Sequence, residues 1–192
     1  MTVKHLSFLQ LHALLNNEYR YHFPKQERKP YTTIMQLVLR RCYEGYGLFD
    51  GDRLCAYALV MKNKGDVLLD YFAVQEDLRG QGIGTEFLNR LCNTFLQRGQ
   101  MVFAEIEMEE PGDTADRAAE KKARQKFYTD NGWQVTRASL TLFDVDYVII
   151  AKSNCPCGDA QAKERVDGFY RTSIVPPVYK KKVFWHQMDD TE

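Results

Sequence analysis

The chain has 192 residues, 44% hydrophobic and 27% charged, which suits one α/β domain with a sizeable core and a short appended element. Its 26 basic and 26 acidic side chains cancel, so nothing asks for nucleic acid or an anionic membrane as partner. The start Met1-Thr2-Val3-Lys4-His5-Leu6 carries no apolar leader, and residues 145–151, broken by Asp146, fall far short of the ~20 a bilayer span needs; a cytoplasmic protein is expected.

Leu6, Leu9, Leu11, Leu14 and Leu15 open the chain with helical spacing. A polar, aromatic stretch over residues 19–31 follows, punctuated by Pro24 and Pro30. Thr32-Thr33 is then expected to cap a second helix carrying Ile34, Leu37 and Val38. Residues 46–49 and 54–62 read as a hairpin joined by Asp50-Gly51-Asp52-Arg53. After a turn at Lys64-Gly65-Asp66, residues 67–74 are almost continuously apolar, the mark of a central strand covered on both faces. A turn with Gly80, Gly82 and Gly84 leads into a helix predicted over 85–98, with Phe87, Leu88, Leu91, Cys92 and Phe95 inward and Gly99 as its stop.

Residues 101–108 form the next predicted strand, 111–116 a polar loop and 116–130 a charged helix ending at Asn131-Gly132. Strands are expected near 133–138 and 145–152. From Ser153 the composition changes: a short helix near 160–170 and Pro176-Pro177 form an extension, 153–192, expected to pack on a domain spanning 1–152. Phe169, Tyr170, Ile174, Val175 and Phe184 there call for burial. Five cysteines argue against a secreted disulfide framework, and Cys155-Pro156-Cys157 offers only two of the four ligands a structural zinc requires, so no metal is expected.

The chemistry concentrates at Tyr71 to Thr85, where a buried strand enters, glycines turn and an amphipathic helix leaves. Glycines let successive backbone N–H groups converge on an anion, and the helix start adds about half a positive charge. Such a turn is a pyrophosphate cradle, to which Arg79 can add a cation. The even spacing of Gly80, Gly82 and Gly84 does not match the Rossmann fingerprint, and no Lys-Ser or Lys-Thr follows as in the Walker pattern.

Arg79-Gly80-Gln81-Gly82-Ile83-Gly84 resembles the Arg/Gln-x-x-Gly-x-Gly/Ala signature of the GCN5-related N-acetyltransferase (GNAT) superfamily. Phe127-Tyr128-Thr129-Asp130-Asn131-Gly132-Trp133 is similar to its second motif, a helix ending in tyrosine and then Gly-aromatic. The likeness covers residues 45–150, with a looser one in the first helices. It implies an acyl-CoA N-acyltransferase fold: a mixed central sheet flanked by helices, in which two parallel strands, here 68–74 and 101–108, splay apart.

The resemblance further implies acetyl-CoA as co-substrate and a small-molecule or peptide amine as acceptor. Phe72, Ala73 and Val74 would pair with the pantetheine arm, while the amides of Arg79, Gly80, Gln81, Gly82, Ile83, Gly84 and Thr85 would hold the diphosphate. Tyr128 matches the tyrosine that protonates the departing thiolate. Glu105 stands where some relatives place a general base. Glu107 and Glu109 share its alternating face, and Asp70 on the neighbouring strand is a further carboxylate. Lys121 occupies the place of a cofactor-contacting asparagine, so that contact does not carry over; its helix reads either as a phosphate-binding or as a solvated face. Acidic residues near the cleft favour a cationic acceptor, and Glu27 and Arg28 in the link between the first helices are candidates to select it. A non-catalytic acyl-CoA sensor is the alternative, and monomer and homodimer both fit.

Overall fold

The computed structural model describes residues 1–97 and 99–188, the side chain of Gln26 excepted. The chain divides into two compact units, one of Met1–Lys62 with Leu69–Leu91 and one of Asn63–Leu68 with Cys92–Glu192.

The first unit opens with a short strand β1 (Thr2–His5) and helix α1 (Phe8–Asn16). Ser7 caps α1 in a reciprocal box with Gln10. Leu11, Leu14 and Leu15 are buried, whereas Leu9 is 77% exposed. At about 100° per residue Leu9 stands roughly opposite Leu11, so it leaves the stripe that its spacing suggested. Helix α2 (Glu18–His22) occupies part of the expected link, and α3 (Tyr31–Leu39) starts behind Pro30 without a side-chain cap. Thr32 and Thr33 therefore lie inside the first turn of α3 rather than at its cap. Strands β2 (Tyr43–Asp50) and β3 (Arg53–Asn63) form the predicted hairpin, Asp50 pairing with Arg53 across Gly51-Asp52. Leu48, Tyr57, Leu59, Val60 and Met61 are at most 1% exposed and form the core of this hairpin.

Two elements are shared by the units: β4 (Asp66–Val74) and α4 (Ile83–Leu96). The helix begins two residues earlier than predicted, and its expected last residue, Arg98, lies outside the described residues. Gly99, at φ 72°, donates to Leu96 C=O at 3.0 Å and Gln100 donates to Phe95 C=O at 3.2 Å, the paired bonds that close a helix on a left-handed residue.

In the second unit β5 (Val102–Glu107) leads to α5 (Ala115–Asp130), capped by Thr114, and to the hairpin β6 (Gln134–Leu142) and β7 (Val145–Lys152). The β6–β7 turn puts Phe143 and Asp144 at φ 49° and 69°. Neither is glycine or asparagine, which is why residues 139–142 were not foreseen as strand. Beyond Ser153 come α6 (Asp159–Ser173), α7 (Pro176–Lys182) and β8 (Val183–Trp185). Ala162, Val166, Phe169 and Tyr170 are buried on α6, and β8 adds a strand to β6. Val175 and Phe184, expected inside, are 62% and 51% exposed, because α7 presents no buried residue and β8 is an edge strand of three residues. Pro176-Pro177 sits in the first turn of α7, where the missing N–H costs nothing.

The strands order as β1-β2-β3-β4-β5-β7-β6-β8 in a mostly antiparallel sheet, and the architecture is the mixed α/β one expected. At the start of β4, Val67 N–H donates to Met101 C=O at 2.9 Å, Met101 N–H to Asp66 Oδ1 at 3.1 Å, and Arg165 of α6 to Asp66 Oδ2 at 2.5 Å. Among the described residues no helix is long and apolar enough to cross a membrane.

Candidate functional site

The glycine turn lies in the first unit. Buried Tyr71 and Ala73 alternate with half-buried Phe72 and Val74 along β4, and the Phe72 ring stacks on Phe87 of α4 at 5.4 Å. That stacking anchors strand to helix. A one-turn 3₁₀ helix, Glu76–Leu78, follows. The Gln81 amide donates to Asp77 C=O at 2.8 Å, and Arg79 Nε reaches back to Val74 C=O at 3.2 Å. Gly80 and Gly82 hold φ of 73° and 80°, and a Cβ on either would meet nothing within 4 Å. Glycine is required there by backbone geometry, and the space above the turn is open. The first intrahelical bond runs from Glu86 N–H to Gly82 C=O, so the amides entering α4 have no helical acceptor of their own. The local geometry fits a diphosphate. Gly84, half-buried, and Thr85, exposed, are already helical, as is buried Ile83.

The acid–base candidates lie in the second unit. Tyr128, in the last turn of α5, is 8% exposed and packs edge-on against Trp133, ring centroids 5.1 Å apart. Burial pushes its phenol well above the usual pKa, with Arg124 pulling the other way, so the hydroxyl keeps its proton at neutral pH. Among the described residues no hydrogen-bond partner meets that hydroxyl. Glu105, half-buried on β5, accepts a hydrogen bond from the Tyr170 hydroxyl of α6. No sequence signal tied residue 170 to residue 105; only the aromatic on the buried face of α6 was legible.

Glu107 and Lys121 differ from expectation. Lys121 is 4% exposed, donating at 2.8 Å to both Met108 C=O and Asp113 Oδ2, with Glu107 at 3.4 Å. Burial opposes its charge, but Asp113 and Glu107 outweigh that and raise its pKa. Lys121 is thus neither a solvated nor a phosphate-facing residue: it fastens the segment after β5 to α5. Glu107 also accepts from Arg117 at 2.6 Å, so its carboxylate is committed to this network. Glu109 lies beyond the end of β5 and pairs with Lys122 at 3.2 Å. Asp70 receives Lys29 at 2.6 Å and the Tyr43 hydroxyl at 2.5 Å, and its side chain is 4% exposed. Cys155 is exposed and Cys157 buried, both as free thiols.

The sequence profile of the acetyltransferase (GNAT) family matches residues 8–132, so the chain belongs to that family. The match takes in the glycine turn, Glu105, Glu107 and Tyr128. No curated protein matches the chain. Solved structures share its fold. A GNAT-family protein of Bacteroides thetaiotaomicron aligns over 91% of this chain and 99% of its own, at 15% identity and TM-score 0.71. The ribosomal-protein-S18-alanine N-acetyltransferase of Escherichia coli aligns over 82% and 96%, at 19% identity and TM-score 0.60. An aminoglycoside 6′-N-acetyltransferase complexed with coenzyme A aligns over 83% and 100%, at 17% identity and TM-score 0.56.

Proposed function

We propose that this protein moves an acetyl group from acetyl-CoA to a primary amine by direct attack on the bound thioester. The observation that carries this is the turn at Gly80 and Gly82, at positive φ beneath open space and leading into α4, within a chain whose family profile spans it. The amides of Arg79–Thr85 hold the diphosphate, and the Phe72–Val74 backbone pairs with the pantetheine arm as an added strand. Holding thioester and amine together supplies much of the rate, since positioning converts a bimolecular step into one within a complex. Acetyl-CoA supplies the activated acyl group; the rest is proton handling.

Glu105, held by Tyr170, takes the proton that the acceptor ammonium must lose before attack, directly or through water. Tyr128, kept neutral by burial, gives a proton to the departing thiolate. The ion pairing of Glu107 suits a structural carboxylate, and Glu105, held by Tyr170 on the same strand, acts as the base. Family and fold neighbours that acetylate proteins and aminoglycosides support an amine acceptor.

Calorimetry with acetyl-CoA and coenzyme A, joined to a thiol-release assay over an amine panel, tests the reading. Acetyl-CoA binds and at least one amine releases thiol. A Gly82→Ala variant, forced to hold a side chain at φ 80°, loses acetyl-CoA affinity by about tenfold or more, with a fall in stability on the order of 1 kcal/mol. Absence of coenzyme A binding overturns the proposal; binding without transfer to any amine leaves a non-catalytic acyl-CoA sensor.

A further inference from the structure

The first unit holds a cavity of about 430 Å³ between α1, α2 and the segment that leads into α3. Four cations line it: Arg20, Lys25, Arg28 and Lys29. Lys29 is neutralised by Asp70. The other three are not: among the described residues, no carboxylate or carbonyl pairs with the side chain of Arg20, Lys25 or Arg28. Leu15, Pro30 and the rings of Tyr19 and Tyr31 supply less polar walls. Lys121, Asp66 and Asp167 show charges matched on folding, whereas half-buried Arg28 and exposed Arg20 and Lys25 meet no counter-charge among the described residues. Three unmatched cations around one concavity repel each other unless an anion joins them.

The cavity is also held in shape. The Tyr71 hydroxyl accepts from Lys29 N–H and donates to Glu27 C=O, both at 2.9 Å, while the rings of Tyr19 and Phe23 meet the Tyr71 ring edge-on at 4.9 Å. The cation-bearing segment is therefore pinned to β4 at the residue just before Phe72. A segment whose backbone is held in advance loses less conformational freedom when its side chains meet an oxyanion. Three of the acidic residues that suggested a cationic acceptor are meanwhile neutralised: Asp70 by Lys29, Glu107 by Arg117 and Lys121, and Glu109 by Lys122.

We infer that this cavity binds a carboxylate or phosphate carried by the acceptor, so that the preferred substrate is a small amine bearing an oxyanion rather than a polycation. The inference rests on the transferase reading above for the amine, but not for the anion. A volume of this size takes a group on the scale of an amino acid or a small phosphorylated amine.

Two measurements separate the parts. The first is calorimetry of glutarate and of inorganic phosphate against the full chain without acetyl-CoA, then in the presence of coenzyme A. The second compares kcat/KM for matched amines: one with a free carboxylate, one with a phosphate, each with its neutral amide or ester, and spermidine. The expected result is binding of at least one anion with coenzyme A already bound, and a preference of about tenfold or more for the matching anionic amine over its neutral form. Arg20→Gln and Arg28→Gln should each lower that preference by about tenfold, whereas Lys180→Gln on the exposed face of α7 leaves it unchanged. If either arginine variant unfolds, the comparison of anionic with neutral amines in the unaltered chain still decides. Preference for spermidine or for neutral amines overturns the inference and leaves the transferase intact. Loss of anion binding on addition of coenzyme A assigns the cavity to the cofactor and overturns it equally. Anion binding without transfer to any amine keeps the anion site and sinks the transferase reading instead.

Discussion

Glu105 and Tyr128 show how neighbours turn ordinary side chains into candidates for chemistry. Glu105 is one of several acids on or near β5: Glu107 and Glu109 are held by Arg117, Lys121 and Lys122, and Glu105 accepts from the hydroxyl of Tyr170. A hydroxyl donor fixes the orientation of a carboxylate, which suits a base. Tyr128 is a neutral phenol beside Trp133, and it arrives protonated as a donor to the thiolate must. Replacing Glu105 by Gln or Tyr128 by Phe should cut turnover by about 10²-fold or more while acetyl-CoA affinity changes little. Tyr170→Phe should lower kcat by about tenfold with an unchanged KM for acetyl-CoA, since it removes one bond to a charged group. Steady-state kinetics beside calorimetry make the check; equal losses of affinity and turnover would mean that these residues serve only the fold.

At the scale of elements, the segment between β5 and α5 depends on one cation. Lys121 gathers Asp113, Glu107 and the Met108 carbonyl, and the Asp113 carboxyl is held below its usual range by the Lys121 hydrogen bond and then by the Glu110 N–H. A lowered carboxyl pKa contributes stability that is present above the unfolded value, 3.8, and is lost as pH falls through the folded one. Lys121→Met should therefore lower the urea midpoint at pH 7, with a gap from the unaltered chain that closes progressively below pH 3.8. It should also open residues 108–114 to limited proteolysis, because their carbonyl and carboxylate anchors are gone. A gap that stays constant down to acid would reject the ion pair as its cause.

For the molecule as a whole, the extension after Ser153 is an integral layer of the second unit. Ala162, Val166 and Phe169 are fully buried, β8 pairs with β6, and Arg165 reaches Asp66 at the start of β4. A chain ending at Lys152 leaves the apolar faces of β6 and β7 uncovered. At roughly 25 cal/mol per Å² of apolar area, exposing a few hundred Å² costs an amount comparable to a typical margin of about 5–15 kcal/mol. The truncated chain is expected to lose its cooperative thermal transition or to aggregate; a truncated chain that melts like the full one would make the extension a separate appendage.

What the sequence by itself determined was local. The hairpin at Gly51, the strand over 67–74, the glycine turn and the helix after it follow from backbone preferences and short periodicities, which need no partner far along the chain. The positive φ of Gly80 and Gly82 was legible for the same reason: it is set by consecutive residues of one turn. What only the tertiary structure decided was pairing over distance: Tyr170 with Glu105, Lys121 with Asp113 and Glu107, Lys29 with Asp70, and three arginine and lysine side chains left unmatched around one cavity. A charge in a sequence carries no record of which opposite charge folding will bring to it, so whether it is neutralised, oriented or left to meet a ligand is settled only when the chain packs.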